Sequence, residues 1–227
     1  MMITFPSKTF MRIAAARRKR NNSIMSRLLP LFPLQLVAFP GSAIPLHIFE
    51  ERYRRMVGEA EAAGSEFGIV LAKDEGIVNA GCTVLVEEVI HRYPDGRFDV
   101  MTRGRRRFLI RSVDDQLDYL RGEVDFFEDD DFTAVPEPLR ARVFEGIRRL
   151  GKEQIRFDPD DPQVSFQLIR AIDDLDFQNL MQRSRSELER FQKIAAVIDK
   201  FIERKDYAAK MKIRAAGNGF GHKPANM

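Results

Sequence analysis

Apolar and polar positions along this chain change rhythm twice. From Leu29 to Phe49 the apolar residues are interrupted by Pro30, Pro33, Pro40 and Pro45, with a Pro-Gly pair at 40–41. Each proline removes a ladder donor, so the stretch reads as an edge strand, a kinked crossover and the start of a helix, not as a central strand. Tyr53, Met56, Val57 and Ala60 then recur at helical spacing and Gly64 supplies a stop, which predicts a helix over Arg52 to Ala63. Glu66 to Ala72 is a short apolar strand. Thr83 to Tyr93 and Arg97 to Thr102 flank Pro94-Asp95-Gly96, and an Asp-Gly pair between two such runs predicts a hairpin because its turn needs positive φ. Gly104 is expected to break the chain, with further strands over Arg107 to Val113 and Leu120 to Phe127. Many short strands, one helix and no βαβ alternation predict a closed or half-closed barrel.

The second change of rhythm follows the acidic run Glu128 to Asp131 and the prolines at 136 and 138, which read as a linker. Leu139, Val143, Ile147 and Leu150 form a helical stripe, and Asp161-Pro162 opens a second helix with Val164, Leu168 and Ile172 on one face. Ser184 with Glu187 three residues on matches a capping box. The helix it opens carries Leu188, Phe191, Ala195, Ile198 and Ile202 at 3,4 spacing. That stripe spans only about two heptads, which favours packing in a bundle over an intermolecular coiled coil. The expected organisation is a β domain at 28–133 and a helical bundle at 134–205. A Gly-rich tail at 206–227 is expected to be disordered. Residues 1–27 are expected to be disordered or to reflect a start assigned too early, with Met25 as the natural first residue.

Charge sharpens this division. The formal balance of +3 averages unlike segments, because residues 1–49 hold seven basic residues and no acid, and 204–227 hold six basic residues against Asp206 alone. Residues 50–203 carry 24 basic and 33 acidic residues, a net of −9. A duplex-binding body should itself be basic, since phosphate neutralisation supplies most of the affinity, so nucleic acid is a disfavoured partner. No apolar run approaches the ~18–20 residues of a membrane span. A single cysteine, Cys82, excludes an intrachain disulfide framework and fits a reducing compartment, so a cytoplasmic location is expected.

Few residues suggest catalysis. Gly146-Ile147-Arg148-Arg149-Leu150-Gly151-Lys152-Glu153 nearly spells a phosphate-binding loop, but Glu153 stands where Ser or Thr should hold magnesium, and no strand precedes it. His47, His91 and Cys82 lack metal-pair spacing, so no metal or cofactor is expected. His47 reads as a hydrogen-bonded structural histidine and Cys82 as a small buried residue. Arg103, Arg105, Arg106 and Arg107 form the densest charge feature. Regular strand geometry puts Arg105 and Arg107 on one face and Arg106 and Phe108 on the other. The alternatives are an anion or acidic-peptide contact and, favoured, a charged edge that discourages strand addition. The Pro-rich opening similarly offers core positions at Leu31, Leu34, Leu36 and Phe39, or an apolar groove for unfolded peptide.

These motifs occur in a recognisable order. Leu29 to Met56 resembles the opening of the Lon protease amino-terminal domain, the module with which that family binds substrates. Gly81-Cys82-Thr83-Val84 with Glu87 resembles its next strand. Pro94-Asp95-Gly96-Arg97, followed by Arg103-Gly104-Arg105-Arg106-Arg107-Phe108, resembles its hairpin and the strand after it. The resemblance covers about residues 28–205; Glu51 departs from it, standing where the family carries proline. It implies an α+β fold, a PUA-like β-rich pseudo-barrel with one embedded helix followed by an α-helical bundle. It implies a free-standing, non-catalytic domain that binds unfolded or partly folded polypeptide, with an ATP-dependent protease as candidate partner. The matching candidate positions are Pro33, Phe39, Pro40, Gly41, Pro45, His47, Phe49, Glu50, Arg52, Tyr53, Arg103 and Arg105. The alternatives are a nucleic-acid-binding barrel using the basic strand and tails, and a hydrolase whose residues converge only in space.

Overall fold

The computed structural model describes residues 28–74, 76–151 and 156–217. Residues 1–27, Lys152, Glu153 and 218–227, on which some of the expectations fall, lie outside that set. The described chain divides into two compact units. One comprises the residues up to Glu128 together with Leu175–Arg183, the other Asp129–Asp174 and the chain from Ser184 onward.

The first unit is a six-stranded mixed sheet with a helix embedded in it. Its elements are β1 (Leu29–Leu34), β2 (Ala43–Ile48), α1 (Glu51–Ala63), β3 (Phe67–Lys73), β4 (Gly76–Arg92), β5 (Phe98–Asp114) and β6 (Arg121–Phe127). Strand order is β2-β5-β4-β3-β1-β6, and β6 pairs back onto β5, so five strands close on themselves and β2 is attached outside the ring. Among the described strands the one parallel pair is β1 with β3; β2 and α1 form the crossover between them. Two apolar clusters fill the unit. Phe32, Ile69, Cys82 and Val84 belong to the one that receives Tyr53, Met56, Val57 and Ala60 of α1. Leu31, Val70 and Phe108 form the other. Neighbouring residues of β1 and β3 thus serve different clusters, which is why Phe67 to Ala72 are all buried and read as a continuous apolar run.

Two strand expectations are corrected. β1 is not an edge, since it pairs with β3 on one side and with β6 on the other. Its prolines are tolerated because the β6 contact is confined to Leu29 and Pro30, where Leu31 N–H donates to Leu120 O at 2.8 Å, and Pro33 has β3 alone beside it. The proline-bearing edge strand is β2. Nor does Gly104 interrupt the chain, because β5 runs unbroken for 17 residues. Along one edge β5 takes β2 over residues 98–103 and β6 over residues 107–114. Gly104 lies at the changeover, exchanging hydrogen bonds of 2.9 Å with Gly41 N–H and Ser42 C=O. A Cβ there would overlap the Phe39 carbonyl and stand 2.8 Å from its carbon. Close backbone approach, not chain breaking, is the reason for this glycine.

The second unit packs α2 (Glu137–Arg149), α3 (Ser165–Ile169) and α5 (Glu187–Gly217). Val143, Ile147 and Leu150 are buried, as are Phe191, Ala195, Ile198 and Ile202, so both predicted stripes face a core. Gly146, from the loop-like string, sits in α2 against Ile198. The helix expected after Asp161-Pro162 is only the five-residue α3. The predicted capping box is rearranged. Ser186 Oγ accepts Glu189 N–H at 3.2 Å, while Glu187 turns away to Arg190 and Ser165. Backbone helix also continues through Gly217, so residues 206–217 are helical instead of part of a disordered tail. α4 (Leu175–Arg183) groups with the β unit, unlike the boundary drawn at 134–205. Its Gln182 side chain donates to Ala38 O at 2.7 Å, and Gln182 O accepts from Arg107 at 3.1 Å.

Candidate functional site

The hairpin between β4 and β5 builds the first part of an exposed face. Tyr93 N–H donates to Arg97 O at 2.8 Å and Gly96, at φ 86°, closes the turn by donating to Tyr93 O at 3.0 Å. Counting back from this turn pairs Arg92 with Phe98 and His91 with Asp99. Arg97 is held by Asp95, whose carboxylate accepts its backbone N–H at 3.1 Å and its Nε at 2.7 Å. Phe98, Val100 and Thr102 point into the core, so Asp99 and Met101 point outward.

β2 completes the face from more than fifty residues away in sequence. Its register pairs Pro45 with Met101 and His47 with Asp99, and its buried positions are Leu46 and Ile48. Pro45, His47 and Phe49 therefore project to solvent. His47, Asp99 and His91 make one row across β2, β5 and β4, while Pro45, Met101 and Glu88 make the adjacent row. His47 Nδ1 lies 2.5 Å from one Asp99 oxygen and the Tyr93 hydroxyl donates to the other at 2.8 Å. Those two hydrogen bonds, that from His47 first, hold the Asp99 carboxyl below its usual range. The rings continue this network. Phe49 stacks on His47 at 5.9 Å, His47 meets Tyr93 at 5.8 Å, and Tyr93 meets His91 edge-on at 4.4 Å. Phe49 is 45% and Ile90 51% exposed. Among the described residues β2 pairs with β5 alone, so its outer edge offers unpaired backbone groups.

The other positions singled out by sequence serve this face or the core. Phe39 is fully buried, Pro33 is half-buried in β1, and Tyr53 is buried against Phe32 with ring centroids 4.2 Å apart. Burial pushes the Tyr53 hydroxyl up to about 12. Pro40-Gly41 is a turn with Gly41 at φ 73°, closed by Ser42 N–H donating to Phe39 O at 3.1 Å. Arg103 clamps that turn, donating to Gly41 O at 3.0 Å while its Nε and Nη2 hold Glu87 at 2.7 and 3.0 Å. Arg103 is thus committed within the chain. Glu50 starts α1 through its carbonyl and binds Arg52 with its carboxylate at 2.7 and 3.0 Å; Arg52 in turn lies 4.6 Å over the Tyr53 ring.

The arginine run departs from regular strand geometry. Between the pairs Cys82–Arg107 and Val84–Gly104, Thr83 of β4 opposes both Arg105 and Arg106. Thr83 Oγ1 accepts Arg106 N–H at 3.0 Å, which satisfies the bulge. Arg105 and Arg106 are consequently both exposed while Arg107 is buried. Arg106 pairs with Glu66 and stacks on Phe126 at 3.9 Å; among the described residues the Arg105 guanidinium makes no ion pair, although its charge acts on Glu87. Cys82 is buried and its thiol is pushed up to about 12 by that burial, so it is not a poised nucleophile. Among the described residues no three His, Cys, Asp or Glu side chains converge on a metal site, and no helix is long and apolar enough to cross a membrane.

Sequence reasoning named Pro45, His47 and Phe49 but missed Tyr93, Asp99, Met101, Glu88 and Ile90. The hairpin register could have placed His91 opposite Asp99; nothing local reveals that β2 joins them.

Comparisons with known proteins agree with this architecture. Residues 28–205 match the ATP-dependent protease La (LON) substrate-binding domain. The chain is 25% identical over 174 residues to a Lon protease of Flavobacterium johnsoniae, covering 69% of this chain and 20% of that protein. It is 28% identical over 109 residues to a Lon protease of Parabacteroides distasonis, covering 44% of this chain and 13% of that one. The chain thus spans a fifth or less of these relatives' length. The crystal structure of a Lon N-terminal domain protein from Xanthomonas campestris superposes with a TM-score of 0.61 at 26% identity, covering 74% of this chain and 96% of that one. The N-terminal domain of a Mycobacterium avium complex Lon protease shares the fold at a TM-score of 0.55 and 15% identity, over 78% and 98% of the two chains.

Proposed function

Because this chain belongs to the Lon substrate-binding domain family, we propose that it captures unfolded or partly folded polypeptide on the outer face of β2, β5 and β4 and presents it to an ATP-dependent protease. Recognition, not cleavage, is the work of this domain. The observation that carries the reading is the row of rings of Phe49, His47 and His91, all exposed, with the half-buried Tyr93 among them, on the strands next to the edge of β2 that no described strand covers. An extended client can add to that edge through its backbone, while its apolar side chains rest on the rings. Pro45 withholds one donor from the edge, which favours brief capture over stable strand pairing. Folded proteins keep both features, backbone groups and apolar side chains, internal, so the face discriminates for non-native chains.

Binding of a fluorescently labelled, permanently unfolded protein tests this. The double variant Phe49→Ala/Tyr93→Ala is expected to weaken capture about tenfold, as loss of two aromatic anchors should, with circular dichroism showing the variant folded even though the half-buried Tyr93 gives up its hydrogen bond to Asp99. Absence of any binding by the wild-type chain would contradict the proposal. Crosslinked capture of an ATP-dependent protease from the native host, dependent on loaded client, tests presentation.

A further inference from the structure

The charges around the ring row narrow the class of client. Four cations near it are paired with carboxylates of the chain, Arg97 with Asp95, Arg103 with Glu87, Arg52 with Glu50 and Arg92 with Glu61, and the half-buried Arg54 donates to the Asp95 carbonyl at the hairpin at 2.8 Å. Glu88, in register with Met101 and Pro45 beside the rings, is exposed and has no ion-pair partner among the described residues. Arg105, whose charge acts on Glu87, lies six residues along β5 from Asp99, about 20 Å away at the rise of an extended strand. Residues 28–128 as a whole hold 12 basic against 17 acidic residues. The face therefore presents π-surfaces and carboxylate, and the arginines beside it among the described residues are already bonded within the chain. Arg97 shows the contact such rings accept, its guanidinium lying 5.2 Å from the Tyr93 centroid.

We infer that this face selects segments of non-native polypeptide in which arginine or lysine accompanies apolar residues, and that it disfavours acidic segments. The inference rests on the reading of the face as a client surface. An incoming guanidinium can lie over the exposed rings and pair with Glu88 while its apolar neighbours cover Phe49, Ile90 and Met101. A carboxylate or phosphate in the same place lies against the carboxylates of Glu88 and Asp99 and against ring faces, whose quadrupole repels anions. The same argument weighs against nucleic acid as the ligand here.

The test uses three unstructured peptides of equal length and identical aromatic and aliphatic content, differing only in four positions filled by Arg, Ser or Glu. Fluorescence anisotropy with the full chain is expected to rank them Arg over Ser over Glu. About tenfold should separate the first two, the size expected of several exposed cation–π and ion-pair contacts. The margin should shrink with added salt. Glu88→Arg should remove most of the Arg-peptide advantage, read as the ratio of Arg-peptide to Ser-peptide affinity in the same variant; circular dichroism checks that the surface variant folds. Equal binding of all three peptides, or an advantage untouched by Glu88→Arg, overturns the charge selection while leaving client binding in place. Failure of all three to bind overturns both.

Discussion

At the scale of single residues, three glycines show how the same residue type acquires different meanings. Gly64 and Gly41 are glycines because their backbones adopt positive φ. Gly104 has no such need; it is a glycine because the Phe39 carbonyl occupies the space its Cβ would take. Gly104→Ala must therefore separate the Pro40-Gly41 turn from β5, breaking the hydrogen bonds to Gly41 and Ser42. A loss of about 3 kcal/mol or more is expected in urea unfolding, against about 1 kcal/mol for an ordinary strand substitution. Thr83 is a similar case. A hydroxyl that looks like a surface strand residue is buried because it satisfies the backbone of the Arg105–Arg106 bulge. Sequence could flag these positions as unusual, but the partner atoms lie 23 to 65 residues away.

At the scale of elements, the acidic run after β6 is not simply a solvated linker. Asp129 reaches Arg190 of α5, a fully buried arginine whose guanidinium donates to Asp129, Glu187, Ser165 Oγ and Ser184 O. Its centre lies 4.2 Å from the Phe166 ring. The arginine thus fastens the segment before α2, the start of α3 and the first turn of α5 at one point. Its charge and every hydrogen-bonding direction are matched, which a buried ion requires. Arg190→Met removes the cation and leaves Asp129 and Glu187 facing each other with little solvent. A loss of about 3–5 kcal/mol is expected, read in the thermal unfolding of this unit, and Arg190→Lys should recover only part of it because an ammonium cannot reach all the acceptors. This cluster also explains the failed capping box. Glu187 stood at the right distance from Ser184, but the buried Arg190 guanidinium is a stronger partner for a carboxylate than a neutral backbone amide.

At the scale of the whole molecule, carboxylates with depressed pKa values set the response to acid. Glu87 is lowered by Arg103, Asp95 by the Arg97 amide, Asp99 by His47 and Tyr93, and Glu189 by Lys193 and Ser184. Asp131 is lowered to about 2 by hydrogen bonds from Ser186 and Thr133. A folded-state pKa below the unfolded one means that the unfolded chain takes up protons first. The contribution is therefore complete above about pH 4 and disappears as pH falls toward 2. Urea unfolding from pH 2 to 6 should show stability falling through that window, and Asp131→Asn should flatten the fall, its difference from wild type vanishing at the acid end. The sequence by itself determined the helix at Tyr53–Ala60, the Asp-Gly hairpin, the stripes of α2 and α5, the acidic body and the family pattern, because each depends on residues within a few positions of one another. Only the tertiary structure decided that β1 is paired on both sides, that β5 continues through Gly104, that Arg190 is buried with its acids, and that His47 meets Asp99 and Tyr93. Those outcomes depend on which distant segments close on one another, and local periodicity carries no record of the partner. The sheet closes by long-range pairing, so the face was legible as separate strands in the sequence and became one surface only when β2 docked on β5.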